Sequence, residues 1–449
     1  MSTMNDWTDA EVRAERAREL YDDGRLAEAA AELRAAIEVN PYNASWHFNL
    51  GLTLEAMDDF ARACEAYRAA LELSPDDVEA LNCLGVSLNR QGRYAEALAC
   101  FEDIERIDPS YEPCYCNRIV SYTELSQHDK AEVMFYTARL FTDACPLCSY
   151  NIGSSFFANG AYDRAIDCWR QTLRLDPAHP HANARIADAF RAKGDTAAAG
   201  EYYQRELGLF ADDADTRLDY GGMLVTEGRL NEAEDQFRAI LDHDAEHAGA
   251  YFALGSLALR RERLDEAQRH FQLVLRIDDA YPGTHARLGQ IMLRRGRAAR
   301  ATGHFLAELK RAGNDPSALG ELGRLLLSAG QDRHARSVFE RLVRLAPSDA
   351  AARHNLAVCC FRLGRTEAGI AHCRRALKLR PEYPLALYNL ALAHHHEGRD
   401  ARARRYVARA VTLAPRAEAI RRLSRHLGAR GLWERVKLTL RRLVGRDEA

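Results

Sequence analysis

The chain has 449 residues, of which 47% are hydrophobic and 28% charged, and its formal net charge is −3. This composition is typical of a folded protein, not a disordered one. No apolar run reaches the roughly 20 residues that a membrane-spanning helix needs, and residues 1–9 lack the basic and apolar segments of a signal peptide. We therefore expect a cytoplasmic protein.

A 34-residue pattern repeats twelve times without insertion or deletion between residues 10 and 417. A fixed period of this length is the signature of a repeat protein, in which each unit buries its core only against its neighbours. We predict three regions: an N-terminal segment (1–9), twelve repeat units (10–417) and a basic C-terminal cap (418–449). The units start at residues 10, 44, 78, 112, 146, 180, 214, 248, 282, 316, 350 and 384.

Each unit predicts two helices in sequence. Positions 4, 7, 8 and 11 of the unit share one face of a first helix, and positions 20, 24, 27 and 28 share one face of a second. Position 8 is small, position 20 is almost always Ala, and position 24 is usually aromatic, so the helix backbones can approach and a ring can fill the remaining space. Gly at position 15 and Pro at position 32 predict the helix ends.

These residues resemble the tetratricopeptide repeat. Its motif residues in units two and three are Phe48-Asn-Leu-Gly51, Ala63 to Tyr67, Pro75, Leu84-Gly85, Ala97, Phe101 and Pro109. The resemblance covers residues 10–417. It implies an all-α fold, a right-handed α-solenoid superhelix of helix–turn–helix repeats, in which the first helices line a concave groove that binds peptides or protein partners.

The early units carry candidate groove residues at position 6, where Asn49, Asn117 and Asn151 stand. In this family, asparagines at this position can form a ladder that bonds the backbone of an extended peptide, because an amide both donates and accepts hydrogen bonds. The alternative is that each amide bonds locally to a neighbouring helix. Aromatic side chains close to the ladder are candidate anchors for a partner, namely Phe48, Tyr150 and Phe157.

Unit four departs most from the pattern, with Ile119 at the small position 8 and Ser126 at the Gly position 15. Cysteines cluster there. Cys114, Cys145 and Cys148 are candidate ligands for zinc or an iron–sulfur cluster, whereas Cys116 should point away from them on a regular helix. A helix N-terminus at Pro146 would lower the pKa of Cys145 and permit redox chemistry. Reduced structural cysteines without a cofactor are the favoured interpretation.

The asparagine pattern is interrupted in units six to ten and returns in units eleven and twelve. There Asn355 and Asn389 are candidate binding residues, with Phe361 and Tyr388 as candidate aromatic anchors. The interruption predicts two separate binding surfaces, one early and one late.

The two ends differ in charge, since residues 350–449 hold 22 Lys and Arg against 8 Asp and Glu, whereas residues 1–100 hold 9 against 19. Solvated outer faces explain this asymmetry most simply, and oppositely charged partners or self-association are the alternatives. Nucleic-acid binding is not expected, because the arginines are not interleaved with aromatic residues. The C-terminal segment predicts capping helices, and contact of a basic amphipathic helix with an anionic membrane is the alternative.

The repeats leave no room for a catalytic domain, and no catalytic motif appears. The sequence therefore predicts a non-enzymatic scaffold, adaptor or assembly factor that binds a protein or an extended peptide. The alternative function is an assembly factor that handles a metal or cofactor through the cysteines of units four and five.

Overall fold

A computed structural model of the chain describes residues 2–142 and 144–428, which are helical and contain no β-strand. The chain divides into two compact units, residues 1–228 and 229–449. The described helices of the first unit are α1 (Ser2–Asp22), α2 (Leu26–Val39), α3 (Ala44–Ala56), α4 (Phe60–Leu73), α5 (Val78–Arg90), α6 (Tyr94–Ile107), α7 (Glu112–Glu124), α8 (His128–Ala138), α9 (Pro146–Ala158), α10 (Tyr162–Leu175), α11 (Ala182–Lys193), α12 (Thr196–Leu209) and α13 (Ala214–Glu227). Those of the second unit are α14 (Leu230–His243), α15 (Ala248–Arg260), α16 (Leu264–Ile277), α17 (Thr284–Arg294), α18 (Ala298–Arg311), α19 (Pro316–Ser328), α20 (Asp332–Leu345), α21 (Ala350–Arg362), α22 (Thr366–Leu379), α23 (Pro384–His396) and α24 (Asp400–Leu413).

Within each compact unit, consecutive helices pair into hairpins that follow the 34-residue register, so the predicted all-α, helix–turn–helix solenoid is confirmed. Position 15 takes a left-handed backbone conformation in all twelve repeats, with φ between 57° and 84°. Glycine occupies it in nine of them, and Asp58, Ser126 and Glu262 adopt the same conformation in the others. The repeat therefore imposes the left-handed conformation at position 15 even on residues other than glycine, for which this conformation is unfavourable.

The core of a hairpin is built on size complementarity between positions 8 and 24. In α9 and α10, Trp169 is fully buried and lies over Gly153, where a Cβ atom would come 2.6 Å from the indole Nε1. Most aromatic residues at position 24 face a glycine within their own hairpin in this way. In the last two repeats, where Ala357 and Ala391 occupy position 8, position 24 carries the smaller Cys373 and Val407, whereas Ala187 is paired with the fully buried Tyr203.

Most first helices are preceded by a residue whose side chain accepts hydrogen bonds from the first backbone N–H groups. Asp349, for example, accepts from Ala351 and Ala352. Two hairpins differ, because the residue before the first helix, His181 or Gly283, is left-handed and has no side chain that accepts these N–H groups. There a buried glutamate from the second helix accepts the N–H groups instead. Glu206 accepts from His181, Asn183 and Ala184, and Glu308 accepts from Gly283 and Ala286.

The fourth hairpin (α7 and α8) is irregular. Ile119 is fully buried at the position where a glycine elsewhere admits a ring, and Phe135 is only half-buried, unlike its counterparts Phe101 and Trp169. Helix α8 ends at Ala138, earlier than other second helices. The contact between α7 and α9 is more extensive than that between other successive first helices.

At the N-terminal end no helix boundary coincides with the predicted repeat start, whereas at the C-terminal end a helix begins at the predicted residue 418. Helix α1 begins at Ser2 and continues through the predicted repeat start at residue 10. Residues 418–428 are helical, and Ile420, Leu423 and Leu427 are buried against α23 and α24. The predicted last C-terminal helix and most of the basic segment lie outside the described residues. Among the helices described, none combines the length and the apolar character that crossing a bilayer requires.

Candidate partner-binding surface and sulfur cluster

The early asparagines lie on the first helices α3, α7 and α9. Asn49 is exposed, whereas Asn117 and Asn151 are half-buried and their amides already bond within the protein. Asn117 Nδ2 donates to Asn82 Oδ1 at 2.9 Å, and Asn151 Nδ2 lies 3.4 Å from the Cys116 carbonyl oxygen. These contacts are the local bonds expected from the alternative interpretation, and the peptide ladder stays a prediction.

Asn117 belongs to a polar network that the sequence did not predict. Asn89 Nδ2 lies 3.4 Å from the Asn117 carbonyl oxygen, and Ser121 Oγ donates to Asn89 Oδ1 at 2.8 Å. Asn82 and Asn89 stand at positions 5 and 12 of their repeat, outside the position-6 pattern. The presence of two asparagines on the same helix, α5, was the feature of the sequence that could have indicated this network.

A cavity of about 280 Å³ opens on the same surface between α7, α9 and α11. Three predicted residues, Tyr150, Asn151 and Phe157, line it. The other lining residues are Val120, Thr123, Glu124, Ser154, Trp169 and Arg185. The cavity therefore combines apolar walls with amide, hydroxyl and charged groups, a mixture typical of recognition sites.

Rings hold the walls of this early cavity in place. Trp169 Nε1 donates to the Tyr150 carbonyl oxygen at 3.1 Å, and the Tyr150 ring stacks on His179 with centroids 4.7 Å apart. Phe157 contacts Trp169 with centroids 5.9 Å apart. The Arg185 side chain is 53% exposed at the rim and lies 3.5 Å from Asp188. Arg185 stands at position 6 of unit six, the first of the units in which the asparagine pattern is interrupted.

The predicted anchor Phe48 lies apart from this early cavity. It is half-buried and packs on Tyr67, with ring centroids 5.8 Å apart. Phe48 therefore contributes to the hydrophobic core as well as to the surface.

The late surface places its predicted residues on α21 and α23. Asn389 Nδ2 lies 2.9 Å from His354 Nε2, and burial lowers the pKa of His354, so the neutral imidazole accepts this bond. Asn355 is half-buried beside it. Phe361 packs over Gly369 of its own hairpin, where a Cβ atom would lie 2.5 Å from its ring.

A second cavity, of about 640 Å³, lies between α23 and the helix that begins at residue 418. Tyr388 is the one predicted residue that lines it. The other lining residues are Leu392, Glu418, Ala419, Arg422, Leu423 and His426. Asn389 is not among these lining residues, so the late polar and aromatic residues do not converge on one described cavity.

The sulfur cluster comprises Glu112, Cys116, Cys145 and Cys148, whose ligand atoms all lie within 4.8 Å of one another. Cys116 and Cys148 form a disulfide with Cα atoms 5.1 Å apart. Cys145 Sγ lies 3.3 Å from Cys116 Sγ, and Cys148 Sγ lies 3.3 Å from Glu112 Oε1. The favoured expectation that all these cysteines are reduced is therefore wrong for this pair.

Two further predictions about these cysteines are wrong. Cys116 lies in the sulfur cluster on a regular helix, and Cys114, a predicted ligand, does not: it is fully buried on another side of α7. The reason is that α9 approaches α7 on the face that carries Cys116. The pKa of Cys145 is not lowered, because burial and the hydrogen bond with Glu112 raise it to about 12 despite the backbone N–H of Cys148.

The model of the tetratricopeptide repeat family matches residues 51–112, 150–214, 321–384 and 374–418, and a second model of the same repeat matches residues 17–58. The TPR repeat-containing protein YpiA of Bacillus subtilis (strain 168) is 23% identical over 158 residues, which are 35% of this chain and 37% of that relative. The chain thus spans well under half of that protein.

Two solved structures align with most of the chain. The yeast Tom70 structure aligns at 14% identity and a TM-score of 0.45, covering 95% of this chain and 96% of that one. The APC/C hetero-tetramer Cut9–Hcn1 aligns at 14% identity and a TM-score of 0.43, covering 93% and 96%.

Proposed function

Since the chain belongs to the tetratricopeptide repeat family, we propose that it is a non-enzymatic cytoplasmic scaffold or adaptor that holds an extended segment of a partner protein on the first helices of hairpins four to six. One observation carries the proposal: the 280 Å³ cavity lies where the asparagine pattern, the aromatic residues and an exposed arginine meet.

The groups that line the early cavity indicate which kind of partner segment would fit. An apolar side chain of the partner enters between Val120, Phe157 and Trp169, where it is shielded from water. The carbonyl oxygen of the Asn151 amide accepts a backbone N–H of the partner, and the Asn151 nitrogen exchanges its long 3.4 Å bond to Cys116 for a partner carbonyl. Arg185 at the rim favours an acidic residue beside the apolar anchor.

A peptide-display experiment tests the proposal directly. A library of random extended peptides is selected on the full chain, and the enriched peptides are measured by fluorescence polarisation. We expect Phe157→Ala and Asn151→Ala each to weaken binding by about tenfold or more, because central anchors dominate such interfaces. The enriched peptides should carry an apolar residue next to an acidic one.

Asn159→Ala is the matched control, since Asn159 is an exposed asparagine at the C-terminal end of the same helix, outside the early cavity. Equal weakening by Asn159→Ala, or unchanged affinity in both cavity variants, would refute the proposal. Affinity capture from native cells with the same three variants then tests whether full-length partners depend on the same residues.

A further inference from the structure

The sulfur cluster has the composition and spacing of a metal site. Cys145 and Cys148 are separated by two residues at the N-terminus of α9, the Cys-x₂-Cys spacing of many zinc ligands. Glu112 and Cys116 stand four residues apart on α7 and therefore share one helix face. Two hairpins thus contribute two ligands each to one point.

The distances approach those of a tetrahedral site. Zinc–sulfur bonds of about 2.3 Å place two sulfur ligands roughly 3.8 Å apart. Cys116 Sγ lies 3.3 Å from Cys145 Sγ and 3.6 Å from Glu112 Oε1, and Cys148 Sγ lies 3.3 Å from Glu112 Oε1. The main change needed is separation of Cys116 and Cys148, which are joined in the disulfide.

We propose that the reduced protein binds one Zn²⁺ through the thiolates of Cys116, Cys145 and Cys148 and the carboxylate of Glu112. Thiolate-rich sets select zinc among the abundant divalent ions, and four protein ligands close the coordination shell, as in structural sites. The ion is a clamp between hairpins four and five, not a catalyst.

Two features of the surroundings favour negative charge at the sulfur cluster, whereas burial and Glu112 disfavour a Cys145 thiolate that no cation compensates. Helices α7 and α9 both begin at the sulfur cluster, and helix N-termini favour negative charge. The Cys148 N–H already donates to Cys145 Sγ at 3.0 Å, and this hydrogen bond orients the Cys145 sulfur. Cys116 and Cys148 are buried, while Glu112 and Cys145 are half-buried, so an ion can enter from the side of these two.

The location has a physical reason. Hairpin four lacks the glycine that admits a fully buried ring, and its α7 contacts α9 more extensively than other successive first helices contact each other. A metal between α7 and α9 would therefore join two helices that already meet where the repeat pattern is irregular.

The disulfide and the zinc site are alternative states of the same atoms. A phosphine reductant opens the Cys116–Cys148 bond: the phosphine is oxidised to its oxide with the oxygen of one water molecule, and the two sulfurs become thiols. Zn²⁺ then replaces the three thiol protons, which are released to solvent. In the cytoplasm, thiol reductants keep such pairs open.

Metal titration of the full chain tests the inference. The protein is reduced with a phosphine without oxygen, stripped with a chelator, titrated with ZnCl₂ and passed through a desalting column before elemental analysis. We expect one equivalent of zinc per chain, a higher melting temperature with zinc, and thiolate-to-cobalt charge-transfer absorption when Co²⁺ replaces zinc.

Cys145→Ser is the decisive variant, because Cys145 lies outside the disulfide and serine is a favoured residue at a helix N-terminus, so the fold is retained. It should lose the bound zinc and the cobalt absorption, and Glu112→Gln should weaken zinc binding by more than about tenfold. The control Cys100→Ser/Cys168→Ser removes two half-buried thiols elsewhere and should keep one equivalent.

Three outcomes would overturn the proposal. The reduced wild type could bind far less than one equivalent of zinc, Cys145→Ser could retain the metal, or the control could lose it as readily as Cys145→Ser.

Discussion

The close approach of Gly153 to Trp169 predicts that Gly153→Ala destabilises the protein, although alanine is the better helix former. A Cβ atom at residue 153 would lie 2.6, 2.8 and 2.9 Å from three atoms of the indole ring, well inside normal contact distance. Trp169 is fully buried and donates to the Tyr150 carbonyl oxygen at 3.1 Å, so the ring cannot yield without disturbing that bond.

The magnitude follows from three contributions. Overpacking a core costs about 1–3 kcal/mol, and loss or distortion of the indole hydrogen bond costs about 1 kcal/mol. Replacement of glycine by alanine inside a helix stabilises the folded state by about 1 kcal/mol. We therefore expect the free energy of unfolding to fall by about 1–3 kcal/mol, and the early cavity, whose wall is Trp169, to change shape.

Urea unfolding followed by circular dichroism measures the effect, and hydrogen exchange localises it to α9 and α10, because repeat proteins can lose stability locally. Gly222→Ala is the matched control, since Gly222 is an exposed glycine within α13 with no atom within 4 Å of its Cβ position. It should stabilise the protein by up to about 1 kcal/mol. If Gly153→Ala proves as stable as Gly222→Ala, the size complementarity between positions 8 and 24 is refuted.

Three further predictions use the turns, a buried histidine and a buried glutamate. Ser126→Gly should raise the free energy of unfolding by about 1 kcal/mol and Gly160→Ser lower it equally, because both positions are left-handed; urea midpoints that shift in the same direction would contradict this. Burial lowers the pKa of His354 below its usual 6.5, so the unfolded chain takes up the proton first and stability falls as pH drops below about 6.5. His354→Gln should lose less stability than wild type between about pH 7 and pH 5, and equal losses would exclude His354 as a source. Glu206→Gln weakens the charge-assisted acceptor of three N–H groups and should cost about 1–3 kcal/mol, whereas exposed Glu201→Gln should change urea stability by less than about 0.5 kcal/mol; similar losses would argue against the capping role.

The repeat register made the hairpins predictable, because position 15 adopts the same conformation whether the residue is Gly160, Ser126 or Glu262. It did not predict contacts that depend on how a hairpin departs from the pattern. Cys116 was assigned to the wrong face because a helical wheel describes one helix and not the neighbour that approaches it. Glu206 and Glu308 were missed as caps, although glutamate stands at position 27 in these two repeats alone.

The candidate site depended on details that periodicity does not carry. Asn151 at position 6 lines the early cavity, but whether the Asn117 and Asn151 amides face a partner or a neighbouring helix depends on side-chain rotation. Their bonds to Asn82 and Cys116 join residues 35 positions apart, one repeat plus one residue. Each such bond therefore crosses to the adjacent hairpin, where no pattern within a single unit predicts it.

The same two helices supply both the early cavity and the sulfur cluster, and this shared origin connects the two proposals. Helix α7 contributes Val120 to the cavity and Cys116 to the cluster, while α9 contributes Phe157 and Cys148. A cross-link between α7 and α9 near their N-termini limits how far the rest of the two helices can separate. A bond at the cluster, whether disulfide or metal, therefore narrows the range of cavity widths that a partner segment meets. This lowers the ordering cost of binding, which is the usual route by which preorganisation raises affinity.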